Sequence, residues 1–306
     1  MNYKKIFRTR KVRRAVLNAL RFVPDRPMLR LQYRIKLGRA LNLKDPKRYT
    51  EKLQWYKLNY RDPLMAQCVD KYDVRAYVES VGLGELLNEC YGVYDRAEDV
   101  DFDALPDSFV LKDTLGGGGL SVILVPDKSR MDREAVRRQM REWTEKKRVR
   151  SGGREWPYYS GKKHRIIAEK YLAQPDGDLP DFKFFCFDGK VRYMYYMRNY
   201  TRNHAEGELG FFDPDFRLLP AHRSDFRPMT EQPPRPEGFD RMLAYAQRLS
   251  AAFPHVRVDF FSVDGQIVFG EMTFFMASGY MTFVPDAFDE EMGAVWQLPQ
   301  ARRGDR

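Results

Sequence analysis

No apolar run in this 306-residue chain approaches the roughly 18 residues needed to cross a bilayer, which excludes a helical membrane span. An apolar leader with a small-residue cleavage site is also lacking, so a secreted precursor is not expected. Cys68, Cys90 and Cys186 are odd in number and widely spaced, with no CxxC pair. They exclude a disulfide framework and a structural zinc site, and they suit a reducing cytoplasm. His164, His204, His222 and His255 are scattered and read as structural or surface groups, and no Ser–His–Asp or paired-cysteine arrangement supplies a nucleophile. Acidic residues are missing ahead of Asp25, whereas Lys4, Lys5, Arg8, Arg10, Lys11, Arg13, Arg14 and Arg21 are all basic. Such a tail can lie on the inner face of an anionic membrane, hold an anionic polysaccharide, or stay solvated.

What is present is ample apolar material, 43% of residues, with 14% aromatic and a formal net charge of +10. This suffices for a core of two or three subdomains. Residues 1–60 read as a basic, mostly helical N-terminal segment. Val74, Val78 and Val81 recur at helical spacing, so a helix is expected from Asp70 to about Val81. Strands are expected at Phe109–Lys112 and Leu120–Val125, then a helix marked by Val136, Met140 and Trp143. Short strands follow at Ile166–Glu169, Phe182–Phe187 and Val191–Met197. Residues 200–236, polar and rich in proline and arginine, read as an irregular insertion. An amphipathic helix then carries Phe239, Met242, Leu243, Ala246, Leu249 and Phe253. Strands Val256–Val263 and Gln266–Glu271 meet at Asp264-Gly265, a strong hairpin signal. The expected class is α+β, with antiparallel sheets in two lobes that meet near residue 170.

Three stretches can carry chemistry. In "FVLKDTLGGGGLSVILV" a strand ends in Lys112, and four glycines, Gly116 to Gly119, lead into another strand. Glycine amides without a Cβ in the way can converge on phosphate oxygens, with the lysine ammonium beside them. Neither a Walker A loop nor GxGxxG fits, because a strand follows; a merely flexible hairpin is the plain alternative. "VRVDFFSVDGQIVFGEMTF" holds Arg257, Asp259 and Glu271, two carboxylates able to seat Mg²⁺ with an arginine next to them. Parity tests this reading. A two-residue turn at Asp264-Gly265 would put Asp259 and Glu271 on opposite faces. A bulged three-residue turn would put them together with Arg257. The plain alternative is a hairpin with solvent-facing charges, although Glu271 stands in an apolar run where an unpartnered carboxylate is costly. "RIIAEKYL" can form a hinge whose backbone reads an adenine edge.

In that order, together with "NLKDPKRYTEKLQWYKL", "DKYDVRAYV", "LPDSFVLK" and "LPDFKFFCFDGK", these stretches resemble the TupA-like ATP-grasp family of cell-envelope polysaccharide biosynthesis, over about residues 40–298. The resemblance implies an ATP-grasp fold, two α+β lobes gripping ATP. It divides the chain into the segment 1–60, an N-terminal part at 61–108, a glycine-loop subdomain at 109–170, a metal-bearing subdomain at 171–298 and a tail at 299–306. It implies that Lys71 and Lys112 bind the ATP phosphates under the loop Gly116, Gly117, Gly118 and Gly119. Glu169, Lys170, Tyr171 and Leu172 would line the adenine site, and Asp181 would meet the ribose hydroxyls. Arg257 would stabilise the transition state, Asp259 and Glu271 would hold Mg²⁺, and Ser278 with Gly279 would lie near the acyl acceptor. Two positions depart from the pattern. Thr273 stands where an asparagine is usual, and Asp113-Thr114-Leu115 stands where related sequences carry a histidine or asparagine.

The activity so implied is ATP-dependent ligation of a carboxylate to an amine through an acyl phosphate. The carboxylate donor would be a uronic or amino acid, with Arg154, Arg198 and Arg202 suiting an acidic sugar. One rival is a glycosyltransferase or phosphotransferase using the same nucleotide site, for which "DFD" at Asp101–Asp103 and "DPD" at Asp213–Asp215 are the nearest metal motifs. Another is a non-enzymatic anionic-polymer binder. Basic residues and aromatics do interleave in "VRYMYYMRNYTRNH", but a strand buried on both faces looks the same, and no nucleic-acid partner is expected.

Overall fold

A computed structural model of the chain describes residues 16–17, 19–117, 121–145, 152–159, 161–172, 177–199 and 207–302. Two antiparallel-built sheets dominate it. The smaller has four strands in the order β1-β4-β2-β3: β1 (Cys90–Tyr94), β2 (Phe109–Asp113), β3 (Val122–Val125) and β4 (Ile166–Lys170). The larger runs β11-β10-β5-β6-β7-β9: β5 (Asp181–Phe187), β6 (Lys190–Arg198), β7 (Glu208–Phe212), β9 (Arg227–Pro228), β10 (His255–Val263) and β11 (Gln266–Thr273). β8 (His222–Arg223) pairs separately with β12 (Phe283–Val284).

Each sheet buries one face against a helix by simple alternation. In the small sheet Phe109, Leu111, Ile166 and Ala168 turn inward onto Val136, Met140 and Trp143 of α5 (Arg133–Thr144). Asp132 caps that helix by accepting from the Ala135 amide. In the large sheet Phe184, Cys186, Val258 and Phe260 belong to the core packed by α6 (Phe239–Ser250), through Phe239, Met242, Ala246 and Leu249. The opposite face of the small sheet carries Lys112 and Glu169, and that of the large sheet carries Lys183, Arg257 and Asp259 beside a second apolar patch that includes Phe185 and Phe187.

The N-terminal part differs from the expected basic segment. α1 (Asp25–Leu37) is indeed rich in arginine on its surface, but α2 (Tyr49–Asn59) is buried nearly all round. Tyr49 meets Phe185 and Phe187 edge-on with ring centroids 6.1 and 6.0 Å apart, and it shares a hydrogen bond with fully buried His255. Burial lowers the His255 pKa to about 3, so it is a neutral core residue. α2 also packs on α7 (Phe288–Ala294), where a Cβ at Gly293 would stand 1.9 Å from the Lys47 carbonyl oxygen. Only glycine permits that approach.

Other boundaries also move. The expected helix at Asp70–Val81 is α4 (Val74–Ser80), preceded by α3 (Pro63–Cys68) and a turn in which Asp70 accepts from the amides of Tyr72 and Asp73. Those bonds take the first residues out of the helix. Phe253 lies past the end of α6. The small sheet takes in β1, well ahead of residue 109, because Cys90–Tyr94 pairs with β4. Residues 200–236 are not wholly irregular: Glu208–Phe212 pairs with β6 in regular antiparallel register. Neighbouring polar and proline-rich sequence hides that short apolar run. Residues 200–206 lie outside the described residues, as do Leu120, Gly118 and Gly119.

Candidate active site

The two lobes present their polar faces from β2 and β4 on one side, and from β5, β10 and β11 on the other. In the small sheet Val110 pairs with Glu169, so Lys112 and Glu169 share a face. The Lys112 ammonium lies 2.6 Å from the Glu169 carboxylate, and Arg75 approaches the same carboxylate at 3.8 Å. Lys71 is docked to the root of the glycine loop. Its amide donates to the Thr114 carbonyl at 2.9 Å, and its ammonium donates to the Gly116 carbonyl. Arg165 braces this segment by reaching Asp70 at 3.0 Å and Asp73 at 2.7 Å. Thus Lys71, Lys112 and the described start of the loop, Gly116 and Gly117, are gathered on one lobe.

The β10–β11 hairpin resolves the parity question in an unforeseen way. Val263 pairs with Gln266, and Asp264 and Gly265 both have positive φ, 49° and 75°. The connection is therefore the two-residue turn, not the bulged one, and on that ground alone Asp259 and Glu271 would diverge. They do not, because the bulge sits further along. Phe260 pairs with Phe269, but Asp259 pairs with Glu271, which leaves Gly270 as the extra residue. A Cβ there would lie 3.1 Å from the Asp259 carbonyl oxygen, a contact that ladder backbone cannot relax. Glycine at 270 restores the shared face.

On that face Arg257 binds Asp259 through two nitrogens, at 2.7 and 2.6 Å. One of those nitrogens also reaches Glu271 and the Thr273 hydroxyl, each at 3.0 Å. Lys183, directly across on β5, reaches the same Asp259 oxygen at 2.6 Å and Asp181 at 2.5 Å. Asp259 is 1% exposed and Arg257 6%, so these charges depend on one another. Burial would raise the Glu271 pKa, but Lys71, Arg257, Lys183 and the Thr273 hydroxyl together hold it at about 2. Burial raises Asp181 to about 6 against the pull of Lys183, with Asp259 adding to the rise. One Asp181 oxygen, Oδ1, is buried without a hydrogen-bond partner, which leaves an acceptor for a bound group.

The same face tests the fit of a divalent cation. Asp259 and Glu271 converge on a single positive nitrogen, so a point charge can lie between them. Their oxygen chemistry suits Mg²⁺. Among the described residues no group of three or more His, Cys, Asp and Glu side chains forms a metal cluster. Protein would thus supply few ligands, as is usual where phosphate and water complete the shell.

Glu169 itself faces the lysine. Lys170 donates its amide to the Glu89 carbonyl, and its own carbonyl accepts from Asn88, at 3.0 and 2.9 Å. Lys170 and Leu172 line a cavity of about 430 Å³ with Leu86, Leu87, Ile267 and Val268. Neither Glu169 nor Tyr171 lines it. Ser278 and Gly279 lie in a tight turn, Met276–Gly279, in which Ala277 and Ser278 both have positive φ. The Ser278 hydroxyl donates to Glu155, and the Ser278 and Gly279 carbonyls accept from Gln54 at 3.0 and 2.9 Å.

Several expectations need correction. Arg154 is 3% exposed and pairs with Asp25 at 3.0 Å, while Arg198 pairs with Glu208 at 2.9 Å. Arg154 is thereby closed to an acidic sugar, whereas the Arg198 side chain stays 35% exposed beside its partner; Arg202 lies outside the described residues. Asp101 and Asp213 accept amides of their own turns, and Asp103 pairs with Arg133 on the surface, so the two DxD strings are turn chemistry. Met194, Tyr195 and Met197 are buried in β6, which accounts for that aromatic run by packing.

Two groups were missed. Lys183 carries the same signal as Glu271, a charge inside an apolar strand ("FKFF"). Lys57 is 2% exposed on α2, donating to the Gly153 carbonyl at 2.8 Å, Ser278 at 2.7 Å and the Gln54 side chain at 3.1 Å. Burial pulls its pKa down to about 7, while three acceptors demand all three N–H donors of the ammonium. While the Ser278 carbonyl keeps its Gln54 donor, Lys57→Met would strand the Gly153 carbonyl and the Gln54 side-chain oxygen. It is expected to cost about 3–5 kcal/mol, at roughly 1–3 kcal/mol per unsatisfied group, and to lower the melting temperature by about 10 °C. An unchanged melt would show that the turn holds without it.

A family model described as TupA-like ATPgrasp matches residues 51–297. No curated protein matches the chain. Among solved structures, the chain is similar to a D-alanine–D-alanine ligase from Bacillus anthracis, at 18% identity and TM-score 0.41, over 68% of this chain and 57% of that one. An N5-carboxyaminoimidazole ribonucleotide synthetase in complex with ADP is similar at 17% identity and TM-score 0.42, over 74% and 50%. A D-cycloserine synthetase is similar at 17% identity and TM-score 0.38, over 69% and 64%. The chain thus spans 50% to 64% of the length of these proteins.

Proposed function

Because the chain belongs to the TupA-like ATP-grasp family, we propose that it is an ATP-dependent carboxylate–amine ligase acting in cell-surface polysaccharide synthesis or modification. The observation that carries this reading is the Gly270 bulge, which sets Asp259 opposite Glu271 beside Arg257 and Lys183. A site made of four cations, four carboxylates and backbone amides has no Ser–His–Asp or cysteine nucleophile of its own. It suits a reaction whose catalysis is positioning and charge stabilisation.

In this reading Lys71, Lys112 and the glycine loop hold the phosphates from one lobe. Lys112 must then exchange part of its Glu169 pairing for a phosphate oxygen. The cavity beside Lys170 and Leu172 takes the adenine, and Asp181 Oδ1 accepts from a ribose hydroxyl. Asp259 and Glu271, with Thr273 nearby, would hold Mg²⁺, which supplies a Lewis acid that draws charge from the phosphates. A substrate carboxylate oxygen attacks the γ-phosphorus, the bond to the β-phosphate bridging oxygen breaks, and ADP leaves. Arg257 stabilises the charge that develops on the transferring group. An amine then attacks the acyl carbon of the acyl phosphate, phosphate departs, and the amine proton passes to solvent. Ser278 and Gly279, fixed by Gln54 and Lys57, form the wall nearest the acceptor. The donor is a uronic or amino acid, and a panel of both distinguishes them.

The test is ADP release with Mg·ATP across a panel of amino acids, uronic acids and amines. ADP formation that needs both a carboxylate and an amine is expected. Stabilisation by UDP-sugars in preference to ATP would overturn the reading in favour of sugar transfer. ADP release with an alcohol alone would overturn it in favour of a kinase.

A further inference from the structure

The exposed face of α1 is the feature outside the site with the clearest chemistry. Met28, Leu29, Gln32 and Tyr33 point inward, leaving Arg26, Arg30 and Arg34 exposed at four-residue spacing, hence on one side of the helix. None of the three has an ion pair among the described residues. The other charges of the region are already engaged: Asp25 by Arg154, Arg39 by Asp286, and Lys36 over the Tyr280 ring at 3.8 Å. Two large apolar side chains accompany the arginines. Leu31 is 49% exposed beside Arg30, and Phe22, in the turn entering the helix, is 78% exposed beside exposed Arg21.

Arginines alone would suit any polyanion. Arginines mixed with an exposed phenylalanine and leucine suit an interface with anionic headgroups outside and hydrocarbon just beneath. A soluble acidic polysaccharide can stack a sugar face on Phe22 but offers no hydrocarbon layer to Leu31. Among the described residues no helix is long and apolar enough to cross a membrane. We infer that α1 and its entry turn dock the protein onto an anionic lipid bilayer, with Arg26, Arg30 and Arg34 facing headgroup phosphates and Phe22 with Leu31 entering the acyl boundary. The basic residues between Lys4 and Arg14 carry the same sign and would add to the attraction.

The test is sedimentation of the full chain with vesicles of phosphatidylcholine containing 30% phosphatidylglycerol, against phosphatidylcholine alone. Binding is expected on the anionic vesicles and not on the neutral ones. Each arginine contributes about fivefold near such a surface, so the triple variant Arg26→Gln, Arg30→Gln, Arg34→Gln should bind about 100-fold more weakly. Phe22→Ser with Leu31→Ser should weaken binding about tenfold in low salt and abolish the part that survives 0.5 M salt. Neither variant touches the nucleotide-site residues, so unchanged ADP release reports intact folding independently of membrane binding. Equal binding to neutral vesicles, or a triple variant within about threefold of the wild type, would overturn the inference. So would binding to polygalacturonate that the same triple variant loses while vesicle binding persists.

Discussion

Arg257→Met is expected to lower ADP release by about 10²–10³-fold, as expected when a donor aimed at transition-state charge is removed. The same change should destabilise the fold. Arg257 bridges Asp259, which is 1% exposed, to Glu271 and Thr273. Removing one member of a buried ionic cluster costs about 3–5 kcal/mol, although Lys183 still partners Asp259 and should keep the loss near the lower end. Arg257→Lys separates the two effects. A lysine keeps the charge but cannot span both carboxylates with a planar fork. It should recover most of the melting temperature and little of the rate. A variant that melts normally and still releases ADP at the wild-type rate would remove Arg257 from the chemistry.

Glu271→Gln is expected to be nearly as damaging to turnover at a smaller cost to the fold. The ionic partnership with Arg257 is lost, one of the attractions that lower the Glu271 pKa against burial. The side chain is 40% exposed and its shape is kept, however, so solvent screening holds the stability loss below that of the Arg257 change. What is lost is one of the two negative charges that face each other across the bulge. Metal-borne charge stabilisation is worth several kcal/mol, so a loss of about 3 kcal/mol, or roughly 10²-fold in kcat/KM, is expected. Raising Mg²⁺ should recover part of it. A deficit that ignores Mg²⁺ concentration would mean that Glu271 serves only to partner Arg257.

Much of this was legible in the chain, and the exceptions have physical reasons. Asp264-Gly265 announced its hairpin, and a carboxylate at 271 inside an apolar run announced a partnered charge. The convergence of Asp259 and Glu271 depended on which residue was the extra one. Sequence parity offered only a bulge at the turn as the way to bring them together, whereas Gly270 carries it. A glycine inside a strand was the available signal, because only there can the opposing Asp259 carbonyl come so close. Lys183 went unread beside Glu271 although the same argument applies to both. α2 could not be read from periodicity, since a helix buried on all sides has no polar face to create one. Its buried Gln54 and Lys57 therefore carried no signal of their own. β7 was concealed because strand assignment there comes from pairing with β6, a non-local contact. Arg154 and Arg198 illustrate the converse: loop arginines that seemed free for a ligand are satisfied by acids distant in sequence or across a hairpin.

The most direct test of the central claim is calorimetric titration of ATP into the wild-type protein and into Glu271→Gln, each with and without Mg²⁺. The account predicts one nucleotide per chain, bound substantially more tightly with Mg²⁺ in the wild type, and a Mg²⁺ enhancement that largely disappears in the variant. Tight ATP binding indifferent to Mg²⁺ in both proteins would contradict it, as would no ATP binding to either.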